Sequence, residues 1–280
     1  MNIVYIYLYG GLGNQLFIIF TGIAYAFKYN FNFKINSYKF MTSIVDGSPR
    51  PVYWNNFLDI LTPFLYNYNE NINYFFQENN NRFSPIPFFN SSFLLKNSSF
   101  QSYMYFHEFK QQIIDFLQIR KKQSILFNEF YYLFNNKKYI AIHFRIGDLK
   151  KLAFGEVLNI QYYINSLLYF KNNLLNFNDY NIIFFGEKID HELILNKIKQ
   201  INPSNNYIIC DYDIPDWKQL LLISLCQHTI IANSTFSWWG AYLNQNEQQV
   251  VCYPSQWFRP DMTDDPQDIF PKNWIKIQCN

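Results

Sequence analysis

Three stretches of this chain gather hydroxyls, amides and a guanidinium at spacings suited to a phosphate-bearing ligand. The first, His143-Phe144-Arg145-Ile146-Gly147-Asp148, closes an apolar run with the character of a strand. Alternation along an extended segment puts His143 and Arg145 on one side, where the guanidinium can offer its fork of donors to a diphosphate. Arg145 would then clamp a leaving group, with Gly147 reversing the chain and Asp148 turning back to hold Arg145 or the imidazole. The plainer alternatives are a solvated Arg145–Asp148 pair and a core histidine at 143. The second stretch, Asn233-Ser234-Thr235-Phe236-Ser237, stands at a strand-to-helix junction. Helix capping explains one of these residues. Three hydroxyls and an amide together, where the helix dipole favours negative charge, make a phosphate seat. Trp238 and Trp239, which follow, read as core packing.

The third stretch is Gly10-Gly11-Leu12-Gly13-Asn14-Gln15, after the opening strand. Gly11 and Gly13 permit a tight turn and close backbone approach, while Asn14 and Gln15 add neutral donors and acceptors suited to a sugar or a phosphate. It is neither GxGxxG nor a Walker loop, so a turn required only for packing remains the alternative. An acid pair, Asp211-Tyr212-Asp213, could hold a divalent ion bridging a nucleotide diphosphate, or could simply close a turn.

These stretches need elements to position them. Ile3 to Tyr9 reads as a strand, and Leu12 to Tyr29 as a buried helix. From Phe31 to about Phe100, Asn, Pro and Ser interrupt every apolar run, which predicts loops and short elements. Gln101 to Phe106 reads as a strand and His107 to Arg120 as a helix. Past Asn135-Asn136-Lys137-Lys138, a plausible linker, strands at Tyr139–Phe144, Asn181–Phe185, Tyr207–Cys210, Thr229–Ala232 and Val250–Tyr253 alternate with helices at Gln161–Leu175, Asp190–Gln200, Pro215–Cys226 and Phe236–Asn244. Short apolar strands alternating with helices predict an α/β fold of two Rossmann-like domains with mostly parallel sheets, residues 1–136 and 137–280. In such sheets ligands bind beyond the carboxyl ends of the strands, where all three stretches fall.

Composition narrows the classes. With 49% hydrophobic and 16% charged residues over 280 positions, the chain can bury a sizeable core. Its 23 basic and 21 acidic residues give a formal charge of +2, which disfavours a nucleic-acid partner. No apolar run reaches the roughly 18 residues of a membrane span, and no secretory leader is evident, so no transmembrane segment and a cytoplasmic location are expected. The four cysteines have no CxxC spacing, which argues against a zinc cage and fits a reducing compartment. The 30 Phe and 23 Tyr are read as an outcome of AT-rich coding rather than as a ligand-stacking device.

Taken in order, GGLGNQLF at Gly10 to Phe17, HFRIGD at His143 to Asp148 and NSTFSWWGAYL at Asn233 to Leu243 resemble glycosyltransferase family 11, the α-1,2-fucosyltransferases. The resemblance implies a GT-B type architecture, two Rossmann-like domains facing a central cleft, with GDP-fucose held by the C-terminal domain and the acceptor side formed by the N-terminal one. It implies an inverting fucosyltransferase that joins fucose to a hydroxyl of an oligosaccharide or glycan acceptor, with no metal and no other cofactor. Arg145 matches the first arginine of the family's HxRRGD pattern and would be catalytic through the diphosphate, with His143 and Asp148 as candidate bases. Donor contacts would come from Gly11, Gly13, Asn14, Gln15, Asn233, Ser234, Thr235, Phe236 and Ser237. The chain departs from the pattern at Ile146, where the family has a second arginine, and at Gln219, where many relatives carry an acid; Asp216 lies one turn earlier. Two alternatives follow: a metal-dependent glycosyltransferase using Asp211 and Asp213, and a non-catalytic sugar-nucleotide or glycan-binding protein.

Overall fold

The computed structural model describes the chain outside residues 38–39, 43–48, 68–71, 79–81, 97, 146–157, 188–194, 197, 201–204 and 259–267. Two compact units form: Met1–Lys122 with Asp264–Pro271, and Gln123–Thr263 with Lys272–Asn280.

The first unit opens with β1 (Ile3–Ile6), the Gly10-Gly11 turn and α1 (Leu12–Tyr29). Leu12, Leu16, Phe17, Ile18, Ile19, Phe20 and Ile23 put apolar side chains all round α1, so it is buried on every side rather than amphipathic. Asn30 ends it in the left-handed conformation, φ 54°. After β2 (Asn32–Asn36) come strands of two or three residues, β3 (Phe40–Thr42), β4 (Pro49–Pro51), β5 (Leu65–Tyr66), β6 (Phe75–Phe76) and β7 (Phe93–Leu95). The main sheet has the order β5-β2-β1-β7-β6, every pairing parallel. Gln101–Phe106 is not the strand its aromatics suggest. Phe100 takes φ 48°, and Ser102 starts a 3₁₀ turn, its Oγ accepting from Met104 N and donating to Asp268 O at 2.7 Å. Phe106 then packs against Phe17 and Phe20. The helix expected at His107–Arg120 is broken: a 3₁₀ turn leads into α2 (Lys110–Phe116), and left-handed Gln118 separates it from α3 (Ile119–Glu129).

The division between the units falls before α3 has ended, not at the expected 136/137. Gln123 is buried, and its Nε2 donates to Ser224 Oγ and Leu243 O at 2.8 and 3.0 Å, which ties α3 to the second unit. Glu129 pairs with Lys218, and Phe134 of α4 (Tyr131–Phe134) packs on Tyr139. The polar run from Asn135 is a turn inside that unit, with Asn136 at φ 54°.

The second unit contains β8 (Lys138–His143), α5 (Ile160–Asn173), β9 (Tyr180–Phe185), β10 (Tyr207–Ile209), α6 (Asp216–Ser224), β11 (His228–Ile230), α7 (Thr235–Tyr242), β12 (Val251–Pro254) and β13 (Ile275–Ile277). Most of the helix expected at Asp190–Gln200 lies outside the described residues. The sheet order is β10-β9-β8-β11-β12-β13, again parallel throughout. The buried phenol of Tyr162 on α5 spans two strands, donating to Ile231 O at 2.6 Å and lying 3.1 Å from Cys252 O. All four cysteines are buried free thiols. At the amino end of β11, the buried ring of His228 accepts Val250 N–H at Nδ1, 3.1 Å, so its hydrogen sits on Nε2, 3.3 Å from Tyr180 Oη. Desolvation lowers its pKa to about 4. Because the folded value lies below the unfolded one, the ring's contribution to stability is complete above pH 6.5 and is lost as pH falls through 4. An NMR titration of the imidazole should show it neutral down to about that pH; a midpoint near 6.5 would refute this environment.

Candidate functional site

In an open parallel sheet the binding crevice lies where chain progression reverses, beyond the carboxyl ends of two adjacent strands. In the second unit this is the β8/β11 boundary: β9 and β10 extend one way from β8, and β11, β12 and β13 the other. Phe144-Arg145 follows β8, and Asn233-Ser234 follows β11. The two stretches, 89 residues apart in sequence, meet there: Arg145 Nη1 donates to Ser234 Oγ at 3.4 Å. Arg145 is half-buried, with its guanidinium beside the first turn of α7.

Ser234 is the N-cap residue of α7, with extended φ −145° and ψ 125°, but its hydroxyl makes no capping bond. The seryl oxygen accepts from Arg145 instead of from the helix, at the end of α7 where the helix dipole favours negative charge. Ser237 Oγ donates back to Ser234 O at 3.3 Å, and Asn233 Nδ2 donates to Trp257 O at 3.3 Å, so both shape the loop. Phe236 lies against His143, ring centroids 5.4 Å apart, and His143 is only 7% exposed. Asp148 falls outside the described residues. Trp238 and Trp239 are fully buried, and Trp238 stacks on Tyr242. Gly240 admits the close approach of α6: a Cβ there would stand 2.8 Å from Ile223 Cβ. Gln219 donates to Ile214 O at 2.8 Å, and Asp213 N–H donates to Asp211 Oδ1 at 3.0 Å, closing a turn with two exposed acids. Among the described residues no cluster of three His, Cys, Asp or Glu side chains could hold a metal.

The first unit has its own reversal, between β1 and β7. The glycine that backbone conformation demands here is Gly10, at φ 76°; a Cβ on Gly11 would meet nothing within 4 Å. Gly13 is buried in α1. Gln15 is fully buried, its Nε2 donating to Gly10 O and Pro51 O at 3.0 and 2.9 Å, so it braces the turn. Asn36, at the end of β2, accepts Leu8 N–H at 2.7 Å. The segment after β7 meets the glycine turn through two side-chain bonds, Tyr9 Oη with Ser99 Oγ at 2.9 Å and Gln101 Nε2 to Asn14 Oδ1 at 3.3 Å. Sequence reasoning missed what holds that segment. Glu78 accepts Phe100 N–H at Oε2 and Tyr105 O–H at Oε1, 3.1 and 2.8 Å, and its own N–H donates to Ser98 Oγ at 2.6 Å. Burial pushes Glu78 above the usual carboxyl range and Tyr9 to about 12.

Two α/β units, each with a main sheet parallel throughout and polar residues gathered at its reversal, have the form of the two-domain, Rossmann-based sugar transferases. Comparison with known proteins specifies which: the model of glycosyl transferase family 11 matches residues 6–278, and the chain belongs to that family. It is therefore a glycosyltransferase by family. It is similar to the Escherichia coli O-antigen biosynthesis glycosyltransferase WbnK, 28% identical over 173 residues, 58% of this chain and 54% of that protein. It is also similar to an Escherichia coli alpha-1,2-colitosyltransferase, 25% identical over 299 residues, 99% of this chain and 100% of that protein. The chain thus spans about half the length of the first relative and all of the second. Similar solved structures include a family 9 glycosyl transferase from Veillonella parvula, 9% identical, TM-score 0.49, covering 99% of this chain and 86% of that one. The fucosyltransferase NodZ from Bradyrhizobium is 10% identical, TM-score 0.46, covering 86% and 92%. No helix among the described residues is long and apolar enough to cross a membrane.

Proposed function

We propose that the chain is an inverting fucosyltransferase, which moves fucose from GDP-fucose to a glycan hydroxyl and forms an α-1,2 linkage. The observation that carries this reading is the meeting of Arg145 with Ser234 at the start of α7, at the reversal of the second sheet. In the reaction the acceptor oxygen bonds to the anomeric carbon as the bond from that carbon to the β-phosphate oxygen breaks. The acceptor proton leaves to a base, and GDP carries away the bonding pair. Negative charge grows on the diphosphate, and the Arg145 fork with the N–H groups of α7 stabilises it. Ser234 orients the guanidinium, and Thr235 and Ser237 flank the same first turn. The packing of His143 against Phe236 supports a positioning role for its ring; Asp148 is the other candidate base. The glycine turn and the Ser98–Tyr105 segment of the first unit are assigned to the acceptor side. A metal is not needed in this scheme, because the arginine and backbone donors neutralise the diphosphate.

The relative that matches along its whole length is a colitosyltransferase, which favours a second reading in which the donor carries colitose. The test combines binding and turnover. GDP should raise the melting temperature more than UDP or ADP do, since a ligand that binds only the folded state stabilises it by mass action. GDP-fucose with oligosaccharide acceptors should then yield an α-1,2 product, and transfer should survive excess EDTA. Equal shifts with the three nucleotides would remove guanine selectivity, and transfer from a colitosyl donor alone would establish the second reading. Loss of transfer in EDTA with rescue by Mn²⁺ would return the chemistry to Asp211 and Asp213.

A further inference from the structure

The second sheet has another end, and it holds a cavity. At the amino ends of β8, β9 and β11, away from the ends that carry Arg145 and Ser234, a cavity of about 300 Å³ is lined in part by Lys138, Tyr180, Gln227, His228, Asn246 and Gln248. Its groups are unequal in kind. Lys138 is exposed, with Nζ 5.7 Å from the centroid of the Tyr180 ring. With the His228 hydrogen on Nε2, the imidazole donates to Tyr180 Oη, and the phenolic hydrogen is left to donate. Gln227 spends its Oε1 on Tyr139 N–H at 2.5 Å, leaving its amide hydrogens. Asn246 accepts Gln248 N–H at 3.0 Å and donates to Gln227 O at 3.2 Å, which fixes the rim. Among the described residues no carboxylate lines the cavity, and His228 is neutral near pH 7, so Lys138 is the charged side chain among those described. Donors therefore exceed acceptors around one cation, in a space larger than a bare phosphate requires.

We propose that this cavity binds a small polyhydroxylated anion the size of a monosaccharide phosphate, its anionic group on Lys138 and its hydroxyls on Gln227, Gln248 and Tyr180. It shares β8 and β11 with the donor end but none of its side chains. The site does not depend on the identity of the transferred sugar, and its test requires no transfer.

The full chain, with ¹⁵N-labelled histidine, is titrated with glucose 6-phosphate, glucose and inorganic phosphate in separate arms, and the ring signals of His228 are followed. Glucose 6-phosphate should move them saturably, and the other two should do so only at much higher concentration. Lys138→Met, an exposed change that should leave the melting temperature alone, should weaken glucose 6-phosphate by about tenfold or more through loss of a charge-assisted bond. Glu247→Gln removes an acid from between two lining residues and should tighten it. The shift should persist in Arg145→Ala, which separates this cavity from the donor end. Unmoved His228 signals, unchanged affinity in Lys138→Met, or loss of the shift in Arg145→Ala would each overturn the proposal. Equal affinity for inorganic phosphate would reduce the site to a simple anion contact, and equal affinity for glucose would remove the anion; either result also overturns it.

Discussion

Arg145→Lys should fold with an unaltered melting temperature and lose most of its transfer activity, and Arg145→Ala should fall further, by about 10²–10³ in turnover. Lysine keeps the charge but not the planar fork that grips two phosphate oxygens at once. The half-buried guanidinium meets Ser234 across the β8/β11 boundary, so the geometry to be lost is already assembled. Ser234→Ala should show a smaller loss of the same kind, because Arg145 then loses an orienting partner but keeps its donors. Were Arg145 merely a surface ion-pair residue, either change would alter stability by about 0–1 kcal/mol and leave the rate intact. Fucosyl transfer and melting temperature measured on the same preparations separate the two: full transfer by a folded Arg145→Ala would remove the leaving-group clamp.

Glu78→Ala should cost the first unit about 2–6 kcal/mol, since it strands two donors at about 1–3 kcal/mol each, Phe100 N–H and Tyr105 O–H. The left-handed backbone of Phe100 would then lose the bond that holds it. Glu78→Gln, which keeps one acceptor oxygen, should cost less. The pH dependence gives an independent check. Burial raises the Glu78 pKa, so its contribution is complete below the ordinary carboxyl range and is lost as pH rises through the raised value. The stability gap between the native chain and Glu78→Gln should therefore narrow from acid to neutral pH. If the segment after β7 forms the acceptor wall, Glu78→Gln should raise KM for the acceptor more than it lowers kcat. Unchanged denaturant midpoints in both variants would show that the carboxylate holds nothing.

Helix α1 was legible to the residue because glycines precede a largely apolar run and Asn30 ends it. Each half of the Arg145–Ser234 pair was also legible, since both follow apolar strands. Their meeting was not, because the β8–β11 adjacency arises only once β9 and β10 have gone to the other side. The Gln101–Phe106 segment misled because its aromatics favour a strand as readily as they fill a core. What decides it is Ser102, whose hydroxyl finds a carbonyl 166 residues away. Distance also hid the boundary, as the partners of Gln123 lie 101 and 120 residues on. Glu78 left no sequence signal: it is a single carboxylate beside an Asn-rich run, and its role depends on a backbone N–H and a phenol 22 and 27 residues later.

Neither unit is one continuous stretch of gene. The chain leaves the second unit after Thr263, gives Asp264–Pro271 to the first, and returns to add β13 beside β12. During synthesis the ribosome must pass Asp268 before the hydroxyl of Ser102 can find its carbonyl, although the strands of the first sheet were made long before. A fragment cut after Lys122 would lack that carbonyl. One running from Gln123 to Thr263 would leave β12 as a bare sheet edge, open to pairing with other molecules. Expressing either half alone therefore calls for a splice: residues 264–271 grafted onto the first, and residues 272–280 rejoined to the second across the gap.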